Sequence, residues 1–246
     1  MPEDLTDIVR AVGTHYLVRY FAEPPATTYT GRWFETLGGG GAHDAVRNRI
    51  TGDDLIAVEG LSVEIPAEAR RDLIDGPLGA SIGSRLAEIP TAVPITDPRA
   101  ALLLRPGGDA DEAHKELKAA RYVHRRRDLT LGHVIAGKLL ARKRPELIPV
   151  YDSRVKCQLG RPAEFWLPLH QRFAGDGGAL SAALTDARVA AGVADLTSDL
   201  RALDVVLWMR HEDRYGTCQK SAKCPGFHTA SLTSSHTPGI VPGALA

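Results

Sequence analysis

A mainly α-helical fold is predicted by three observations. Apolar residues recur every three or four positions over most of the chain, alternating strand patterns are scarce, and the helical stretches are separated by short Gly/Pro breaks. The 246 residues suffice for one large or two small domains with a sizeable core, and 43% apolar with 24% charged residues is the ordinary globular range.

The elements follow in order. Residues 4–21 carry Leu5, Ile8 and Val12 at helical spacing, interrupted at Gly13 and resumed through Tyr16, Leu17 and Tyr20. Residues 22–41 read as a loop region holding one short strand and closed by the four glycines Gly38 to Gly41. Residues 53–63 form a short helix. Thr51 is its N-cap, Asp53 and Asp54 charge its first turn, and Leu55, Val58 and Leu61 share a face. Two helical pieces occupy residues 67–89, parted at Gly76-Pro77, and the three prolines of PTAVPITDP mark a linker. Amphipathic helices follow at 111–122, 163–173 and 179–190. A nearly all-apolar helix spans 131–141, where Leu131, Ile135 and Leu139 line up at spacing four, and Arg144-Pro145 ends it. A helix over 153–159 is capped by Asp152. The clearest late helix is 196–211, with Leu196, Leu200, Leu203 and Leu207 on one face. After His211 the chain is rich in Ser, Thr, Gly and Pro without apolar period, which predicts a disordered tail over 213–246. The domain reading is a helical body at 1–212, divisible into lobes 1–96 and 97–212, plus that tail.

Charge and cysteine content exclude some classes. Lys+Arg and Asp+Glu are 30 each, so no global field draws the protein to a polyanion. The charge is unevenly placed, however: residues 115–161 hold thirteen bases and four acids, a net of +9, and the rest compensates. This basic middle is either a set of solvated helix faces or a polyanion footprint whose binding would weaken with salt. Three cysteines argue against a secreted disulfide scaffold. No apolar run of membrane-spanning length and no targeting peptide is read, so a cytoplasmic protein without membrane contact is expected. Gly38 to Gly41 lack the residues that complete a nucleotide fingerprint, and a flexible turn is the better reading. Cys218, Cys224 and His228, with His211 upstream, have unusual spacing for zinc. Cys157 reads as a buried, inert thiol, and no metal or cofactor is expected. Trp166 and Trp208 are expected to pack in the core.

The order in LTLGHVIAGKLLARKRPELIPVYDSRV is a glycine, a small-residue helix, a basic-Pro break, Pro149-Val150, Asp152 and another helix. It resembles the helix-hairpin-helix DNA glycosylase superfamily. The hairpin type there is Leu-Pro-Gly-Val-Gly, followed by Thr-Ala and, later, by a segment ending in the essential Asp. Leu129-Thr130-Leu131-Gly132 stands at the hairpin, Ile135-Ala136 at the Thr-Ala, and Asp152 at the acid if Tyr151 is an added residue. Thr130 replaces the first hairpin glycine, and the Schiff-base lysine of the lyase members would fall at or near Val134. The resemblance implies a helix-hairpin-helix glycosylase-like bundle and DNA as partner. It implies a monofunctional N-glycosyl hydrolase without lyase activity, with Asp152 stabilising an oxocarbenium-like sugar while the base is flipped out. Gly132, His133, Lys138, Arg142, Lys143, Arg144 and Arg154 would meet the nucleic acid, and Tyr151 could stack on a base. The dense run HRRRD at 124–128 would lie near a bound backbone. The plain alternatives are that Asp152 is only an N-cap and that the protein is a non-catalytic interaction or structural protein. A further reading is an enzyme on a small nucleoside or nucleotide whose phosphate meets Lys138 and Arg154.

A more specific likeness is carried by YTGRWFETLGGGG, ITGDDLIAVEGLSVEIP, AGKLLARKRPELIPVYDSRV and LRALDVVLWMRHE. These resemble an actinobacterial family described only as a domain of unknown function, over residues 16–212. That likeness implies no activity, and the oligomeric state is not legible.

Overall fold

The computed structural model describes residues 4–26, 28–124, 127–160, 162–216 and 218. Among them are eleven α-helices, two 3-10 turns and one two-stranded antiparallel sheet, a mainly helical fold as the spacing predicts. The helix α1 (Leu5–Tyr20) is capped by Asp4, whose carboxylate accepts from the Thr6 amide at 2.8 Å. The described residues of the loop region after it hold no strand; 3-10 turns form at Thr30–Trp33 and Leu37–Gly39 instead. The helix α2 (Gly52–Glu59) begins with a reciprocal capping box between Thr51 and Asp54, so the sequence reading of Thr51 holds. The pieces α3 (Ala67–Asp75) and α4 (Pro77–Glu88) are parted at Gly76, with Pro77 at the first helical position, where its missing N–H costs nothing.

Two elements depart from expectation. A five-residue helix α5 (Ala100–Leu104) follows the proline linker, and α6 (Asp109–Ala119) stops short of Tyr122. Strands β1 (Arg121–His124) and β2 (Arg127–Thr130) then form a hairpin in which Tyr122 pairs with Leu129. A β-hairpin, not a tight turn between two helices, therefore leads into α7 (Gly132–Lys143). The remaining helices are α8 (Ser153–Gln158), α9 (Trp166–Gly175), α10 (Ala179–Ala190) and α11 (Asp199–Tyr215). The last runs three residues into the expected tail. Beyond Cys218 that tail lies outside the described residues, as do Arg125, Arg126, Arg161, Cys224 and His228.

One contiguous core runs from Leu5 to Met209 and is shared by helices before and after residue 97. The first helix packs on α10 and α11, α6 and α2 pack on α7, and α8 packs on α11. Both central helices are buried far beyond an amphipathic stripe. In α11, Leu200 to Leu207 are all buried, Arg201 and Asp204 included. In α7 the whole stretch Lys138 to Lys143 is buried. No helix among the described residues is long and apolar enough to cross a membrane.

Candidate functional site

The basic end of α7 is interior, a correction to the surface role expected for it. Arg142, Lys143 and Arg144 are 1%, 0% and 1% exposed. Arg142 pairs with the buried Asp54 at 3.1 Å and donates to the Phe34 and Leu37 carbonyls. Lys143 also pairs with Asp54 and donates at 3.1 Å to the carbonyls of Gly41 and Val46. The glycine loop thus turns carbonyl oxygens toward buried cations, the reverse of a phosphate cradle. Arg144 has no carboxylate partner among the described residues. Its guanidinium donates to the carbonyls of Arg47, Lys143, Leu86 and Ile89 and to Asn48 Oδ1. Burial pushes it down to about 10, so it is charged at neutral pH. Side chains committed in this way place no charge on the surface for a phosphate to meet.

Asp152 and Lys138 come together elsewhere. The segment through Val150, Tyr151 and Asp152 is extended, so successive side chains point to opposite sides. Val150 and Asp152 face one cavity, whereas Tyr151 faces another. Asp152 caps α8 through one oxygen: Oδ1 accepts from the amides of Arg154 at 2.9 Å and Val155 at 3.0 Å. Oδ2 has no part in the cap. Lys138 enters the same cavity from α7, 3% exposed, with Nζ donating to the Leu61 carbonyl at 2.8 Å. Burial holds its ammonium below the ordinary lysine value, against the attraction of Asp152 and Asp204.

This cavity, of about 70 Å³, is completed by residues the sequence reading passed over. Asp204 and Arg201, an (i, i+3) ion pair 3% and 5% exposed, project from α11. Burial, with Asp152 nearby, lifts the Asp204 carboxyl to about 7 in spite of Arg201. Arg201 also donates to Tyr20 Oη at 2.7 Å and to the Gly31 carbonyl at 3.1 Å. Tyr20 stacks on Tyr29 at 4.9 Å, and Trp208 meets both edge-on at 6.3 and 5.8 Å. The wall is close-built at Gly31, where an added Cβ would lie 2.2 Å from Tyr20 Oη and 2.6 Å from Leu61. On the same rim Ser62 has φ +60°, the one non-glycine residue at positive φ among those described. Such backbone persists only where the surroundings enforce it, and it concentrates at functional sites. A buried pair, a desolvated lysine, a carboxylate and three aromatic rings around one opening form a constellation suited to acid–base or electrostatic chemistry on a flat ring.

The opposite side of α7 lines a larger cleft of about 520 Å³. His133 and Gly137 contribute from α7, His114 and Lys118 from α6, and Lys156 from α8. His114 bonds the His133 carbonyl at 3.1 Å and meets Trp166 edge-on at 5.1 Å. Tyr151 stacks on Phe165 at 3.9 Å and donates to the Pro162 carbonyl, so its ring is half of a stacked pair. Burial and the nearby lysines hold both histidines below the ordinary value, and the cleft's remaining charges are Lys118 and Lys156 with one acid, Glu164. Lys115 is raised to about 12 by Asp111 and Glu112, which neutralise it. Gly132, at φ +79°, opens α7 beside this cleft with space around its Cα.

A family model matches residues 13–211 of the chain. The chain belongs to that family of unknown function (DUF6308). No curated protein and no solved structure matches it. The span shared by DUF6308 contains every residue lining either cavity.

Of the sequence-predicted site residues, the structure brings Asp152 and Lys138 into the first cavity and His133 and Tyr151 into the second. Arg154 joins neither as a phosphate contact. It pairs with Glu212 at 2.7 Å and lies over the Trp208 ring at 4.5 Å, bracing the wall of the first. Trp208 and Trp166 pack against the core as expected, and each also lines a cavity. Asp204, Arg201, Tyr20 and Tyr29 were missed. Arg201 and Asp204 carry the one signal that could have found them: an opposite-charge pair at helical spacing inside the otherwise apolar stretch 200–209.

Proposed function

We propose that the chain is an N-glycosyl hydrolase acting on a nucleobase-bearing substrate, nucleic acid first among them. The observation that carries this reading is the meeting of Asp152 and Lys138 in one aromatic-walled cavity with the Arg201–Asp204 pair. In the proposed reaction the C1′–N bond breaks and its electron pair leaves with the base. Asp152 Oδ2 stabilises the positive sugar and takes a proton from the water that adds to C1′, and the base is protonated on departure. Asp204, poised near neutrality, is the donor candidate, and the rings of Tyr20, Tyr29 and Trp208 offer stacking partners for an extruded base. The reacting nucleotide would enter the first cavity, while backbone flanking it would meet the second cleft on the other side of α7, past Gly132, His133, Lys118 and Lys156.

One observation favours the alternative, a non-catalytic interaction protein on the same fold. Asp152 already caps α8 and Lys138 already satisfies the Leu61 carbonyl, so each has a structural task. Base release from a panel of single- and double-stranded DNA and free nucleosides, with wild type and Asp152→Asn, separates the two. Release that Asp152→Asn abolishes supports hydrolysis. Release that the variant leaves intact, or none from any substrate, refutes it.

A further inference from the structure

We infer that Cys157, His211 and Cys218 form a structural binding site for a soft divalent cation, zinc by its ligand chemistry, that clamps α8 to the end of α11. Cys157 lies on α8, His211 in the last turns of α11, and Cys218 just past the Gly216 that ends that helix. All three are buried, at 0%, 0% and 8% exposure. Their ligating atoms lie within 4.8 Å of one another, and neither cysteine is in a disulfide. In a tetrahedral site with Zn–S about 2.3 Å and Zn–N about 2.0 Å, ligand atoms stand roughly 3.5–3.8 Å apart. The three donors are thus within about an ångström of that spacing.

The donor set is chemically consistent. Two thiolates and an imidazole are the ligands that select zinc over harder ions. Cys218 Sγ lies 3.4 Å from the carbonyl of Ser153, the first residue of α8. Two of the chain's three cysteines, distant in sequence, meet here. The fourth position of a tetrahedral ion falls to water.

The consequence is positional. Helix α8 is capped by Asp152, and α11 carries Asp204 and Trp208. An ion joining these helices would fix how the two walls of the first cavity face each other. The inference stands without the hydrolase reading, because its test reads metal and not turnover.

The experiment uses the full chain, purified under reducing conditions, dialysed against zinc and then against metal-free buffer. Zinc is counted by inductively coupled plasma mass spectrometry, and cobalt substitution gives a thiolate-to-metal charge-transfer band. About one zinc per chain, with the band lost in both Cys157→Ser and Cys218→Ser, is the expected result. Cys218 lies beyond the last helix, so its variant keeps the helical body, and far-UV circular dichroism checks that. Full metal retention by the folded Cys218→Ser protein, no metal on wild type, or a Cys157–Cys218 disulfide in peptide mapping would each overturn the site.

Discussion

Arg144→Ala tests whether the basic end of α7 is interior structure or solvated surface. At the wild-type position five hydrogen bonds leave one guanidinium, to the carbonyls of Arg47, Lys143, Leu86 and Ile89 and to Asn48 Oδ1. These acceptors come from the segment before α2, the C-terminal end of α4 and α7 itself, so one side chain ties three parts of the chain. Each bond to a charged group nets on the order of 1–2 kcal/mol, and acceptors left buried without a donor cost about as much. The opposing term is the desolvation of a cation without a carboxylate partner, which costs several kcal/mol and is relieved by truncation. The balance is a loss of roughly 3–5 kcal/mol, a large part of the stability of an ordinary domain. In a chain of this size that corresponds to a fall in melting temperature of about 10 °C or more. Arg144→Lys, whose ammonium has three donors instead of five, should lose about half as much. Urea unfolding followed by circular dichroism measures both, with the exposed Arg121→Ala as a control near zero. If Arg144→Ala stays within about 0.5 kcal/mol of wild type, the side chain is solvated and the interior assignment is wrong.

Three further outcomes follow from the two cavities. Asp152→Asn should lower base release by at least about 100-fold while changing stability little, since Asn caps a helix nearly as well as Asp, whereas Asp152→Ala should also lose about 1 kcal/mol of cap; paired kinetics and melts check this. Asp204 has a folded-state value of about 7 against an ordinary 3.8, so its stabilising contribution is complete below about pH 4 and is lost as pH rises through 7. Asp204→Asn should remove a decline of about 4 kcal/mol across that window, and a pH series of unfolding curves with the wild-type slope retained in the variant would exclude it. Lys118→Ala and Lys156→Ala should each weaken nucleic-acid binding and reduce the slope of log K against log salt by about one, while a conservative Lys143→Met, if folded, should leave that slope unchanged; fluorescence anisotropy across a salt series decides.

Local rules carried the sequence reading as far as local rules reach. The Thr51 and Asp152 caps, the proline stop after α7 and the limits of α10 each depend on contacts within a few residues, and the structure has them where the patterns put them. The hairpin at β1 and β2 was missed because its strands show no apolar alternation; Val123 and Leu129 are exposed, and Tyr122 alone is buried among the side chains described there. The buried cations were missed for a different reason. Apart from Asp54, which Arg142 and Lys143 share, their partners are mostly backbone carbonyls, among them those of Phe34, Leu37, Gly41, Val46, Leu86 and Ile89, some 55 to 108 residues away. Backbone carbonyls leave no trace in residue identity, so a cation satisfied by them looks like a cation in water.

The same asymmetry explains why the site was half legible. Asp152 stood out because it caps a helix after a proline break, and Lys138 because it belongs to the basic stretch of residues 115–161, features that read locally. Asp204 and Arg201 were hidden in a helix whose leucine spacing suggested one apolar face and a solvated back. That inference fails when a helix is enclosed on every side, for then its polar residues must pair with each other or line a cavity. In α11 they do both: Arg201 and Asp204 pair across one turn, and both face the opening that Asp152 and Lys138 enter from other elements. Polar groups kept in so apolar a helix cost desolvation, and replacement by hydrophobic residues of like size would commonly be neutral or stabilising. Their presence therefore argues for a task beyond holding α11 in place, and the cavity they face is where that task would be performed.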